Sequence, residues 1–338
     1  MKMGYLNRQF YGMMLILVLS ISACQKANTP QMETQTPIAL QISPLSTETK
    51  QKETQTPMVA NHPPLIVIAH RGARSLAPEN TLLAAQKAYD LGADMWELDV
   101  AMTYDDQLVV IHDESLKRTS NAVAYYPAKS PWNVRAFNLE ELKRLDFGSW
   151  FIEKDPFKTI KDGVVSVNDQ EEMKGITIPT LEEALVLTKN LHWFVNVEIK
   201  DLSNSPSDDK VVVEKVVALI EKLDMVNSVI ISSFKHDYLV QIKNINPNIA
   251  TAALVEQGYN DPVSLIRKLG AQAYNPGFSG LYEWSTIRDV RDAGYDVYVW
   301  TVNDEANFKN LDEAGVSGIF TDFPQLLIKY LVEKSKSN

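Results

Sequence analysis

The chain has 338 residues, a formal net charge of −10 and a single cysteine. That charge argues against nucleic acid as a partner, though an acidic protein can still hold a locally positive site for a small anion. One cysteine leaves no intramolecular disulfide for the fold to depend on.

The first segment does not read as fold. Lys2 and Arg8 precede an apolar run at 13–19, which meets Ser20, Ser22, Ala23 and then Cys24. A charged start, a short apolar core and small residues describe an export signal over 1–23, too short to be a spanning helix. With the cysteine directly after the small residues, the segment resembles a bacterial lipoprotein signal, although Ile21 stands where leucine is preferred. That resemblance implies lipidation at Cys24, membrane attachment through the anchor, and a place in the cell envelope, at the outer membrane or periplasmic face. Residues 24–63 are rich in Gln, Thr, Ser and Pro, and Glu-Thr-Gln-Thr-Pro occurs twice, beginning at Glu33 and Glu53. Such a composition cannot bury enough apolar surface to offset its ordering entropy, so it reads as a tether. Its average reach is about 35 Å.

The remaining stretch, 64–338, has the length of one α/β barrel. It opens with the apolar run 65–68, a buried strand, followed by His70-Arg71-Gly72 and Pro78-Glu79-Asn80-Thr81. Gly72 permits a turn that a Cβ would forbid, and Asn80 is placed to cap a helix over 81–91. An alternating strand follows over 94–100, where Glu97 and Asp99 must share one face. A turn at 103–106 leads to 108–113, which ends in His112-Asp113. No helix fits between these two strands, so the βαβ repeat is broken there.

Residues 114–179 are irregular, with one short helix over 139–145, and read as an inserted lid or subdomain. Strand–helix alternation is then regular: strands at 192–199, 228–232, 250–255, 272–275, 296–302 and 318–321. Between them lie helices over 208–222, 237–245, 262–269, 284–293 and 305–314. This pattern predicts a (β/α)8 TIM barrel, distorted at the second-to-third strand connection. Nine candidate strands compete for eight places, so one of the nine is not a full stave, and the helix-less pair is a candidate place for it.

Barrel enzymes carry their sites at the C-terminal ends of the strands. That rule gathers His70, Arg71, Glu97, Asp99, His112, Glu198 and Lys200 at one mouth. Three carboxylates without a thiolate or a close histidine pair suit a hard divalent cation. Two histidines on separate strands suit an acid and a base, and Arg71 and Lys200 suit an anion. Together they describe displacement at phosphorus. His62, His192 and His236 read as structural. Glu79 supports a ligand or cation from behind, or only favours a helix N-terminus. Trp300 lines the pocket or belongs to the core.

With Trp300-Thr301-Val302-Asn303 and Thr321-Asp322-Phe323-Pro324 added to these motifs, the chain resembles the glycerophosphodiester phosphodiesterases over essentially all of 64–338. The resemblance implies calcium or magnesium held by Glu97, Asp99 and Glu198, with His70 and His112 as the acid–base pair. It also implies Arg71 and Lys200 on the phosphate, and an insertion at about 114–179 that shapes the glycerol pocket. The implied reaction releases sn-glycerol 3-phosphate and an alcohol. Two alternatives stay open, a lysophospholipase D-type enzyme and a surface lipoprotein with a mainly binding role.

Overall fold

A computed structural model describes residues 65–338 apart from 202–205, 282 and 338. The expected signal, Cys24, the tether over 24–63 and His62 lie outside the described residues. Nine strands form one sheet: β1 (Ile66–Ala69), β2 (Met95–Met102), β3 (Leu108–Val110), β4 (Phe194–Ile199), β5 (Val229–Ser233), β6 (Ala250–Val255), β7 (Ala273–Pro276), β8 (Asp296–Val299) and β9 (Gly318–Thr321). Eight of them are parallel, and β1 pairs with both β9 and β2, which closes the sheet into the expected (β/α)8 barrel.

β3 is the strand that is not a stave. It runs antiparallel to β2, pairing Val110 with Val100 and Leu108 with Met102. β2 is eight residues long because it continues past the barrel rim, and β3 returns along that overhang. The break in the βαβ repeat is therefore a hairpin standing on the mouth. The hairpin needs no crossover helix, because antiparallel neighbours can be joined by a tight turn.

The staves carry apolar residues on both faces because helices cover the outside and side chains fill the inside. The outer face packs Val67, Trp96, Leu98, Val195, Val197, Ile231 and their neighbours against the helices. The lower interior is closed by Ile68, Ile230, Ala252, Ala273, Tyr298 and Phe320. At the period of two, residues that follow these inward positions reach the mouth as His70, Ser232, Leu254 and Trp300.

The helices lie close to their expected bounds, with 262–269 and 305–314 matched to the residue. A last helix, Pro324–Ser337, has no counterpart in the sequence reading. The cap of the first helix also differs. Thr81 caps Leu82–Leu91, its side chain accepting from the Ala84 N–H at 3.1 Å. Asn80 instead adopts φ 58° and turns its amide toward the mouth. The insertion holds more helix than the single stretch expected: Ala122–Tyr125, Leu139–Leu142, Ser149–Lys154 and Val167–Met173. Runs of one or two turns carry too little periodicity to show in sequence. Local capping boxes define two of them, Asn138 with Glu141 and Ser166 with Asp169. The insertion builds one small core on the hairpin through Val109, Phe137, Leu142 and Ile178. A second packs Trp150, Phe151 and Met173 on Ala77 and Ala84.

Candidate active site

The first βα turn starts the site. Arg71 and Gly72 both have positive φ, 57° and 81°, which reverses the chain directly after His70. A Cβ on Gly72 would lie 2.6 Å from the Ala84 carbonyl carbon, so only glycine lets this turn pack on the following helix. The turn aims the Arg71 N–H at Glu97 Oε2, 2.8 Å away.

Glu97, Asp99 and Glu198 form the acidic cluster. Asp99 and Glu198 are register partners on adjacent strands, and Glu97 precedes Asp99 on the same face. Each offers one oxygen, and the three oxygens lie within 4.8 Å of one another. Burial, together with the Asp99 and Glu198 charges, pushes the Glu97 carboxyl well above its usual range. Burial and the Asp99 charge likewise raise Glu198. Asp99 goes the other way: burial opposes ionisation, but Arg71 and Lys200 hold its carboxyl below the usual value. Glu97 Oε1 and Asp99 Oδ1 are buried without a hydrogen-bond partner. Buried carboxylate oxygens left without donors are costly unless a cation takes them. The donor set is oxygen only, so the cluster fits a hard divalent metal ion.

Two cations expected at the site are there. Arg71 Nε lies 3.4 Å from Asp99, and Lys200 Nζ lies 2.7 Å from Glu198 and 3.5 Å from Asp99. Asn80 is a site residue that sequence reasoning assigned elsewhere. Its Nδ2 donates to Asp99 Oδ2 at 2.8 Å, and its Oδ1 accepts the Asp99 N–H at 3.2 Å.

Both histidines reach the same cavity, by different routes. His70 follows the end of a stave, as expected. His112 does not stand at the C-terminal end of a parallel strand. It follows the returning β3, and the Ile111 N–H donates to the Asp99 carbonyl at 2.9 Å, which sets its level. Each imidazole has an aspartate on Nδ1: His70 with Asp322 at 2.7 Å, and His112 with Asp113 at 2.7 Å. With Nδ1 engaged, Nε2 is the nitrogen left for a ligand. Burial and the neighbouring Arg71 lower the His70 pKa. Asp322 and its partner Asn303, whose Nδ2 donates at 2.9 Å, stood in recognised motifs but had no expected role.

His70, Arg71, Glu97, His112, Glu198 and Lys200 line a cavity of about 160 Å³. Phe234, Leu254 and Trp300 form its apolar wall, so Trp300 does face the pocket. Its ring meets Phe234 edge-on at 5.5 Å, and its Nε1 donates to the Asn275 carbonyl. Glu79 does not line this cavity. It is buried beneath Arg71, Arg74 and Arg118. Of the histidines read as structural, His236 bonds the Leu254 carbonyl through Nε2 at 2.9 Å, and His192 ends a helix.

Eight parallel staves, with acids, imidazoles and cations gathered over one end, place the chain in the class of barrel phosphodiester hydrolases. The model of the glycerophosphoryl diester phosphodiesterase family matches residues 70–326, and the chain belongs to that family. It is 34% identical to a glycerophosphodiester phosphodiesterase of Caldanaerobacter subterraneus subsp. tengcongensis, over 80% of this chain and 98% of the relative. Identity to a Bacillus subtilis glycerophosphodiester phosphodiesterase is 32%, over 78% of this chain and 86% of the other. The structure is similar to that of an Oleispira antarctica phosphodiesterase solved with the product sn-glycerol-3-phosphate. The TM-score is 0.66 at 27% identity, covering 80% of this chain and 97% of that one.

Proposed function

We propose that this chain hydrolyses glycerophosphodiesters to sn-glycerol 3-phosphate and a free alcohol, as a metal-dependent enzyme of glycerophospholipid metabolism. One observation carries the reading: two aspartate-held imidazoles share a cavity with an acidic cluster that has two buried oxygens without a hydrogen-bond donor. The names of the relatives and the product bound in the Oleispira antarctica structure support the substrate class.

In this reading Glu97, Asp99 and Glu198 hold one calcium or magnesium ion, which when bound supplies positive charge against a phosphate oxygen. Arg71 and Lys200 face the same phosphate. They lie on the cluster carboxylates in the structure, and both line the cavity. One histidine takes the proton of the attacking hydroxyl, and the other gives a proton to the leaving alkoxide, each through Nε2. Asp322 and Asp113 keep the rings in the tautomer that this requires. The attacking hydroxyl comes from water or from the substrate's own glycerol, which would give a cyclic phosphate for water to open. Phe234, Leu254 and Trp300 exclude water from one side of the reacting ester.

The segment before the barrel gives the location. Residues 1–23 act as a lipoprotein signal, Cys24 carries the lipid, and 24–63 hold the barrel clear of the bacterial envelope. Among the described residues no helix is long and apolar enough to cross a membrane.

The test is hydrolysis of glycerophosphocholine, glycerophosphoethanolamine and lysophosphatidylcholine by purified 64–338, with and without a chelator. Release of sn-glycerol 3-phosphate from the first two, lost on chelation, is the expected outcome. Preference for lysophosphatidylcholine would overturn the substrate assignment in favour of a lysophospholipase D.

A further inference from the structure

Behind the cavity wall, the two histidine–aspartate pairs belong to one string of charges. Asp322 Oδ1, which holds His70, lies 3.3 Å from Arg74 Nη1. The other fork of Arg74, Nη2, donates to Glu79 Oε2 at 2.9 Å. Arg118 grips the same carboxylate from the opposite side, with Nη1 to Oε2 at 2.9 Å and Nη2 to Oε1 at 2.7 Å. Its remaining donors reach Asp113, with Nε to Oδ2 at 2.7 Å and Nη2 to Oδ1 at 3.0 Å. Asp113 Oδ1 completes the string at His112. Signs alternate along it without a gap. Glu79 takes a further hydrogen bond from Arg71 Nη1 at 2.9 Å, so it accepts four in all, about the full capacity of a carboxylate.

We infer that Glu79 is a positioning residue that sets both histidines at once, through Arg74 on one side and Arg118 on the other. The inference rests on the proposed acid–base roles of His70 and His112.

Three features favour this over a mere clamp between insertion and barrel. Both arginine arms end on the aspartates that hold Nδ1, rather than on neutral scaffold. Glu79, Arg74 and Arg118 are absent from the lining of the main cavity, so any effect on turnover must pass through other side chains. Guanidinium groups are also rigid planar forks, so they transmit direction as well as charge. Each aspartate has a second anchor on its outer oxygen, Asn303 for Asp322 and Arg118 for Asp113, which resists rotation of the carboxylate. The insertion covers both arms, with Phe157 5.3 Å from Arg74 and Trp150 5.8 Å from Arg118. A displacement near 1 Å in a reacting group can cost about 10²-fold in rate, so loosening either arm is expected to register.

The experiment measures kcat and KM for Arg118→Gln, Arg74→Gln and Glu79→Gln, alone and combined with His70→Ala or His112→Ala. The substrate is glycerophosphocholine, whose alkoxide leaving group engages both histidines, at enzyme concentrations high enough to read the residual turnover of the histidine variants. Arg118→Gln should lower kcat about 10²-fold with KM within about threefold. In the His112→Ala background it should cost less than about threefold, while in His70→Ala it keeps its full effect. Arg74→Gln should show the mirror pattern. Glu79→Gln should retain a cost in either single background and a smaller one when both histidines are gone, the remainder passing through its hydrogen bond from Arg71. If Glu79→Gln fails to fold, the two arginine variants carry the test, since each severs one arm. An unchanged cost of Arg118→Gln in His112→Ala would overturn the inference alone. So would a rise in KM with kcat intact, which is the mark of a lid fastening. Near-wild-type turnover of His112→Ala would instead overturn the acid–base reading, and this inference with it.

Discussion

Asp322 joins the end of the barrel to its beginning: its Oδ1 lies 2.7 Å from Nδ1 of His70, 252 positions earlier. Burial works against the ionised carboxylate, but His70, Arg74 and Asn303 hold its pKa at about 2. A carboxyl depressed on folding adds stability above its ordinary value of 3.8 and loses it as the pH falls toward 2. The contribution near neutrality is on the order of 2 kcal/mol. Asp322→Asn should therefore unfold at lower urea than the wild type at pH 7, with the gap narrowing below about pH 3. Its kcat should fall by about 10²–10⁴-fold, because an amide no longer fixes the His70 tautomer. Equal stability deficits at pH 7 and pH 2.5 would contradict the ionised pairing.

The acidic cluster predicts a response to metal that is separate from turnover. Glu97 and Glu198 repel Asp99 in the free protein, and a divalent cation relieves that repulsion. Calcium or magnesium should raise the melting temperature, as any ligand specific to the folded state does. Glu97→Gln removes a ligand charge with little change in shape. It should melt higher than the wild type in chelator, gain less from added cation, and lose turnover. Full activity of thoroughly chelated wild type would rule out a catalytic metal here.

The histidines predict an asymmetry between substrates. An alkoxide such as that of choline needs a proton as it leaves, whereas a nitrophenolate does not. General acid–base help is worth about 10²–10⁴-fold per group. Of His70→Ala and His112→Ala, one should lose far more on glycerophosphocholine than on the nitrophenyl ester, and the other should lose comparably on both. Identical losses for both variants on both substrates would remove the division of labour.

The N-terminal segment predicts a clean separation of attachment from catalysis. Cys24→Ser should block lipidation and leave the precursor in the membrane fraction with its signal uncleaved. A chain starting at Asn61 should be soluble, with full specific activity on soluble glycerophosphodiesters. Substantial loss of activity in that shorter chain would show that part of 24–60 belongs to the catalytic unit.

Much of the site is legible because strand residues obey a short period. Once 94–100 is a strand, Glu97 and Asp99 must share a face, and the barrel rule puts that face at the mouth. His70, Glu198 and Lys200 follow in the same way. His112 has the right address by the wrong route, since no local pattern reveals that β2 overshoots the rim and β3 returns along it. Asn80 misleads for a similar reason. Asparagine before a helix is a good cap in any context, and only the nearby Asp99 draws its amide inward.

Arg74, Arg118, Asp113 and Asp322 sit in loops, where no periodicity constrains a side chain's direction. Their assignments depend on which residues the closed barrel and its insertion bring within about 3 Å, and that is decided by distant parts of the chain. Apolar alternation and strand–helix order were enough to set the fold and the face on which the acids and histidines lie, because burial of one face is a local, repeating demand. That Asp322 steadies His70, and that one buried glutamate joins the two histidine–aspartate pairs, follows only from closure, since the His70–Asp322 contact spans 252 residues and the Arg118–Glu79 contact 39.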